Sequence, residues 1–134
     1  MNAKTRILIV DDDEVVRLSF LRSLAGARYC VEAVWNGIEA LRAMEQRPFD
    51  VILLDLRMPD LDGMSVLKTI KERWPESEVV VITGCASLET VKEAVQLGAC
   101  DYLSKPVEPD EVIHAANGAL TRKKWALHEV RTEH

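Results

Sequence analysis

The stretch Val51-Ile52-Leu53-Leu54-Asp55-Leu56-Arg57-Met58-Pro59 decides the fold. An unbroken run of four aliphatic residues reads as a strand covered on both faces. The carboxylate at its end has no place in an apolar core. A second run, Ile7-Leu8-Ile9-Val10, also ends in acid, at Asp11-Asp12-Asp13-Glu14. Two such strands bring like charges to one edge of a sheet. Repulsion and desolvation make that arrangement costly, so it marks a site.

Working outward, short apolar runs at 6–10, 29–34, 50–54, 78–82 and 101–103 alternate with amphipathic segments. In the first helical segment Leu18, Leu21 and Ala25 recur at helical spacing and Gly26 is a stop. The second opens with Asn36 as N-cap and Glu39 three residues on, a capping-box pattern, with Leu41 and Met44 on its inner face. The third carries Met64, Leu67 and Ile70 and stops before Pro75. In the fourth, Ser87 caps, Leu88, Val91 and Val95 face inward, and Gly98 ends the helix. The fifth has Pro109 near its first position. This alternation predicts an α/β fold: a five-stranded parallel sheet with right-handed crossovers and five helices.

With 134 residues, 48% of them hydrophobic, the chain is one domain's worth of core. Its 17 basic and 22 acidic residues give a net charge of -5, which argues against general nucleic-acid binding and suits a cation site. Cys30, Cys85 and Cys100 have no metal-ligand spacing and read as reduced thiols. The first residues lack the apolar core of a signal peptide, and no run reaches membrane-spanning length; a cytoplasmic location is expected.

In an open parallel sheet the site lies beyond the C-terminal strand ends. Asp11 and Asp12, Asp55, Thr83-Gly84 and Lys105-Pro106 all fall there. Oxygen ligands alone select a hard cation, with Mg2+ the natural choice because it keeps waters that a phosphate can replace. One divalent ion and Lys105 would balance three carboxylates. A carboxylate in such a site can attack phosphorus while the cations neutralise its oxygens and Thr83 offers a hydroxyl. Each residue also has a plainer reading. Asp13 and Glu14 are read as a helix cap and a dipole partner. Alone, Thr83 would be a strand-end threonine and Lys105 a loop lysine. Joint placement lifts them above that.

Four fragments then make the resemblance specific: Ile7-Leu8-Ile9-Val10-Asp11-Asp12-Asp13, Asp55-Leu56-Arg57-Met58-Pro59-Asp60-Leu61-Asp62-Gly63, Ile82-Thr83-Gly84, and Gly98-Ala99-Cys100-Asp101-Tyr102-Leu103-Ser104-Lys105-Pro106. In this order, over about residues 5–120, the chain resembles the receiver domains of bacterial two-component response regulators. The resemblance implies a doubly wound sheet in the order 2-1-3-4-5, a flavodoxin-like three-layer sandwich. The details of the chain look most like receivers of enhancer-binding, nitrogen-regulator-type transcriptional activators. The resemblance implies that Asp55 accepts a phosphoryl group from a sensor histidine kinase. It also implies that Asp11, Asp12, Asp55 and the backbone carbonyl of Arg57 hold Mg2+. Lys105 would bind phosphoryl oxygens, with a cis peptide bond to Pro106. Thr83 would move toward the phosphoryl group and Tyr102 would swing inward behind it. An output domain or downstream protein would then read the face of helix 4, strand 5 and helix 5. Self-phosphorylation and self-dephosphorylation would be weak, so the chain is a signalling domain rather than an enzyme. No direct nucleic-acid or membrane contact is expected of it.

The receiver is taken as residues 1–121, and 122–134 as an extension of the last helix or a linker. Ile113, Ala116, Leu120, Lys123, Leu127 and Val130 fall at spacings of three and four, a seam that would support a homodimer. One seam position is lysine, the first three also suit the sheet, and a frayed, solvated end is the competing reading. His114 and His128 suggest surface residues, and Trp35, Trp74 and Trp125 do not cluster in sequence. Arg57 could screen a phosphoryl group, pair with an acid or point to solvent. Cys85 reads as a loop thiol, Gly84 leaves room for a phosphoryl group, and Val107 is not needed by the site. An aspartyl phosphohydrolase would want an acid two residues after the nucleophile, where Arg57 stands. A flavin carrier would want a hydroxyl- and glycine-rich loop where four acids stand. A pure interaction module would not need the set Asp12, Asp55, Thr83 and Lys105.

Overall fold

The computed structural model describes the backbone of residues 4–26, 29–58, 60–84 and 87–132, and the side chains among them as far as Lys123. Strands β1 (Arg6–Val10), β2 (Cys30–Val34), β3 (Val51–Leu54), β4 (Glu78–Thr83) and β5 (Asp101–Ser104) alternate with helices α1 (Glu14–Ala25), α2 (Gly37–Gln46), α3 (Gly63–Arg73), α4 (Leu88–Gln96) and α5 (Pro109–Thr132). The sheet runs β2-β1-β3-β4-β5, every neighbouring pair parallel. The expected architecture and strand order are therefore those observed, with strand bounds within one residue of the apolar runs.

The central strands β1 and β3 are buried from Ile7 to Val10 and from Val51 to Leu54. Alternate residues feed two cores. Leu8, Val10, Ile52 and Leu54 meet Met44 and Leu67 on one face. Ile7, Ile9, Val51 and Leu53 meet Phe20, Leu24, Ala116 and Ala119 on the other. Both faces being covered is why the runs are continuous rather than alternating.

The caps explain where the helices begin and end. Asp13 accepts from the Val15 N–H and Asn36 from Glu39, so both start as the sequence suggests. The Asn36 box is only half made, because Glu39 turns outward to Arg42 at 3.0 Å. Ser87 and Thr90 complete a reciprocal box at α4. Its other end closes on Gly98, with φ of 105°, where Ala99 N donates to Ala94 O and Gly98 N to Val95 O.

Two inner faces differ from expectation. In α1, Phe20 and Leu24 are buried, while Leu18 is 46% exposed and Ala25 is also outside. Both stripes are apolar, and the larger side chains take the sheet side. In α4, Ala94 is the buried residue, with Leu88 71% and Val95 58% exposed. A short helix at the sheet's margin packs through a small residue and leaves its larger ones outside. In α5, Ala116 is buried and Ile113 and Leu120 are half-buried against the sheet, so the first half of the suggested seam is core. Lys123 pairs with Asp50. Trp125, Leu127, His128 and Val130 lie outside the described side chains.

Candidate functional site

The strand ends deliver the charged residues by continuing the sheet's ladder one step beyond each strand. Val10 pairs with Leu54, and Thr83 with Ser104. Just past them, Asp55 N donates to Val10 O at 2.9 Å, Asp11 N to Val34 O at 3.2 Å, and Lys105 N to Thr83 O at 3.0 Å. The backbone positions of Asp11, Asp55 and Lys105 are therefore fixed by sheet geometry.

Their side chains converge. Lys105 Nζ lies 2.7 Å from Asp11 Oδ2 and 3.0 Å from Asp55 Oδ2, with Asp11 1% and Asp55 5% exposed. Asp12 is exposed at the rim. Asp11, Asp12 and Asp55 each offer an oxygen, all within 4.8 Å of one another. The remaining oxygens are anchored: Asp11 Oδ1 accepts from Asp13 N at 2.9 Å, and Asp55 Oδ1 from Arg57 N at 3.0 Å. Arg17, from α1, donates to the Asp11 carbonyl at 2.8 Å.

Burial pushes the Asp11 carboxyl up, against the hydrogen bonds and charge of Lys105, while Asp55 adds a like charge. Desolvation would depress the Lys105 ammonium, but its bonds to Asp11 and Asp55 outweigh that and hold it above its ordinary value. One lysine against three acids is thus incomplete compensation. The donor set is all carboxylate oxygen, which fits a hard divalent cation.

Around this centre, Thr83 is fully buried at the end of β4. Tyr102 is half-buried, its OH 3.2 Å from Thr90 Oγ1. The Lys105–Pro106 peptide bond is cis. The Arg57 side chain is exposed and, among the described residues, pairs with no acid. A Cβ on Gly84 would meet nothing within 4 Å. Cys85 lies outside the described residues. Val107 packs into the second core, away from the carboxylates.

Sequence reading missed three supports. Asp60 accepts from Gly37 N at 3.1 Å and Ile38 N at 3.0 Å, tying the loop after Asp55 to the start of α2. Gly63 sits where a Cβ would stand 2.4 Å from Leu56 Cα, so α3 begins hard against that loop. Thr90 bridges Tyr102 and the α4 cap. Only Gly63 had a readable signal, in the Asp62-Gly63 helix start. The others span elements that sequence spacing does not relate.

A family model described as the response regulator receiver domain matches residues 7–117. The chain belongs to that family. It is 39% identical over 115 residues to the DNA-binding transcriptional regulator NtrC of Escherichia coli strain K12, covering 86% of this chain and 24% of NtrC. To the transcriptional regulatory protein ZraR of Salmonella typhimurium it is 36% identical, covering 92% of this chain and 28% of ZraR. The chain thus spans about a quarter of these relatives. Among solved structures, the CheY-like response regulator receiver domain protein from Methanospirillum hungatei JF-1 superposes with a TM-score of 0.89 at 31% identity, over 92% of this chain and 99% of that one. The fold is accordingly that of a receiver domain.

Proposed function

We propose that the chain is a phosphorylation-dependent switch in which Asp55 accepts a phosphoryl group from a sensor histidine kinase. The observation that carries the reading is Lys105 Nζ bridging Asp11 and Asp55 at 2.7 and 3.0 Å beside the exposed Asp12. A carboxylate oxygen of Asp55 attacks phosphorus, a P–O bond forms, and the bond from phosphorus to the kinase imidazole breaks. The product carries about -1.5 to -2 charges where one carboxylate stood. Lys105 already faces that position and would neutralise the new oxygens. Asp11, Asp12, Asp55 and the Arg57 carbonyl would hold Mg2+, which when bound supplies charge neutralisation at phosphorus.

Thr83 would donate its hydroxyl to the phosphoryl group, a bond to a charged acceptor worth about 1.5–3 kcal/mol. That is enough to shift a two-state equilibrium roughly ten- to a hundredfold. Tyr102 would follow, altering the face of α4, β5 and α5 read by an output domain or downstream protein; a homodimer through the tail is a further partner of this reading. Weak self-phosphorylation and self-dephosphorylation fit a site in which Arg57, not an acid, stands two residues after the nucleophile. We place the chain in the cytoplasm, where kinase and thiol chemistry agree; among the described residues no helix is long and apolar enough to cross a membrane.

The test is incubation with Mg2+ and acetyl phosphate or beryllofluoride. An adduct that Asp55→Asn abolishes is expected, and no wild-type adduct would favour a pure interaction module. Thr83→Ala should accept phosphate yet transmit it poorly.

A further inference from the structure

We propose that Thr90 is a positioning residue of the switch, whose hydroxyl couples the orientation of Tyr102 to the N-terminal cap of α4. The proposal rests on the reading of Tyr102 as a switch residue. At least four polar contacts meet at Thr90 Oγ1. It donates to Ser87 O at 2.9 Å and accepts from Ser87 N at 3.0 Å. It also lies 3.1 Å from Ser87 Oγ and 3.2 Å from Tyr102 OH.

A hydroxyl has one proton to give and two lone pairs to offer. The four contacts named exceed what one hydroxyl can satisfy at once, so Tyr102 OH and Ser87 Oγ share this oxygen with the backbone bonds of the cap. A change in the orientation of Tyr102 therefore redistributes the bonding of the cap. The helix is sensitive to such a change. It has nine residues and one buried side chain, Ala94, so its first turn depends heavily on the cap. Its outer face carries Leu88 and Val95, both mostly exposed, so a shift in the first turn moves a surface that a partner can feel.

The chain has two tyrosines, Tyr29 and Tyr102, which makes the test direct. Protein labelled with 3-fluorotyrosine gives two fluorine resonances, assigned with Tyr29→Phe. Thr90→Val keeps the shape and deletes the hydroxyl; Thr90→Ser keeps the hydroxyl. Thr90→Val should move the Tyr102 resonance, leave that of Tyr29 in place, and change the apparent beryllofluoride affinity, in Mg2+, by about two- to tenfold. Thr90→Ser should stay near wild type in both. In a Tyr102→Phe background the Thr90→Val effect on affinity should largely vanish, because no phenol remains to couple.

A purely structural role for Thr90 would lower stability without these signatures. An unmoved Tyr102 resonance in Thr90→Val, or an equal Thr90→Val effect with and without the phenol, overturns the coupling. If the wild type gives no Asp55-dependent response to beryllofluoride, the switch reading falls and the proposal with it. An Asp55-dependent response with an unmoved Tyr102 resonance overturns the coupling alone.

Discussion

Lys123 Nζ and Asp50 Oδ1 stand 2.7 Å apart across 73 residues of sequence, joining α5 to the start of β3. Beside them Arg122 Nε reaches Glu78 Oε2 at 3.6 Å, at the start of β4. The base of the sheet thus holds α5 just beyond Thr121, where the sequence suggested that the receiver ends. We propose that the folding unit extends at least through Lys123. A chain truncated after Thr121 should be less stable than one truncated after Lys124 by about 1 kcal/mol, given the partial exposure of these pairs. Equal urea midpoints for the two would put the boundary back at Thr121.

The same pair sets an acid limb of stability. Desolvation opposes ionisation of Asp50, but the backbone N–H of Arg6 at 2.9 Å and the Lys123 ammonium outweigh it and hold the carboxyl below its ordinary 3.8. A depressed carboxyl stabilises the fold above its unfolded value and loses that contribution as pH falls through the folded one. Denaturation midpoints measured from pH 6 down to pH 3 should therefore fall more steeply in wild type than in Asp50→Asn. Parallel slopes would show that Asp50 contributes nothing to the acid limb.

At the opposite edge, Lys105→Met should destabilise the protein by about 3 kcal/mol, because Asp11 and Asp55 would be buried without their ammonium partner. Added Mg2+ should recover part of the loss if the trio binds it. Asp55→Asn relieves repulsion instead, and should raise the thermal midpoint measured without divalent ions. A lowered midpoint in Asp55→Asn would show that the ion pair outweighs the repulsion.

Gly63→Ala tests the seat of the loop that carries Arg57. Its Cβ would stand 2.4 Å from Leu56 Cα and 2.7 Å from Leu56 O, atoms of the backbone that cannot swing aside. A loss of about 1–3 kcal/mol is expected from such overpacking. Chemical denaturation checks it, and Gly26→Ala, with nothing within 4 Å, is the matched control.

Burial and the nearby charge of Glu78 push the Cys100 thiol up to about 12, against 9.0 for an ordinary thiol. Native Cys100 should resist iodoacetamide at pH 8 and become reactive on unfolding, as peptide mass analysis would record. A raised thiol also carries a sign. The unfolded form ionises first, so stability falls as pH rises from about 9 toward 12, and Cys100→Ala should lose less stability over that range. Rapid native labelling would count against this environment.

The fold and the centre of the site were legible for one shared reason. Continuous apolar runs such as Ile7 to Val10 and Val51 to Leu54 name buried parallel strands, and parallel strands present their C-terminal ends together. Asp11, Asp55, Thr83 and Lys105 needed only that rule to be gathered. Local chemistry was equally readable where it stays within one turn: Asp13, Asn36 and Ser87 cap as their sequences suggest, and Gly98 closes α4.

What sequence alone determined about this protein is its order of elements, its parallel sheet and the acids, hydroxyl and amine at one edge, because backbone periodicity and strand direction are properties of the local chain, whereas strand order depends on which strands meet. Tertiary structure alone decided which apolar stripe of α1 and α4 faces inward, since Leu18 and Phe20 are equally apolar and only packing chooses between them. It also decided that Asp60 caps a helix it does not belong to, that Thr90 meets Tyr102, and that Lys123 leaves the suggested seam for Asp50. Those contacts join atoms far apart along the chain. They depend on distances of a few ångströms that exist only after the sheet has brought the elements together.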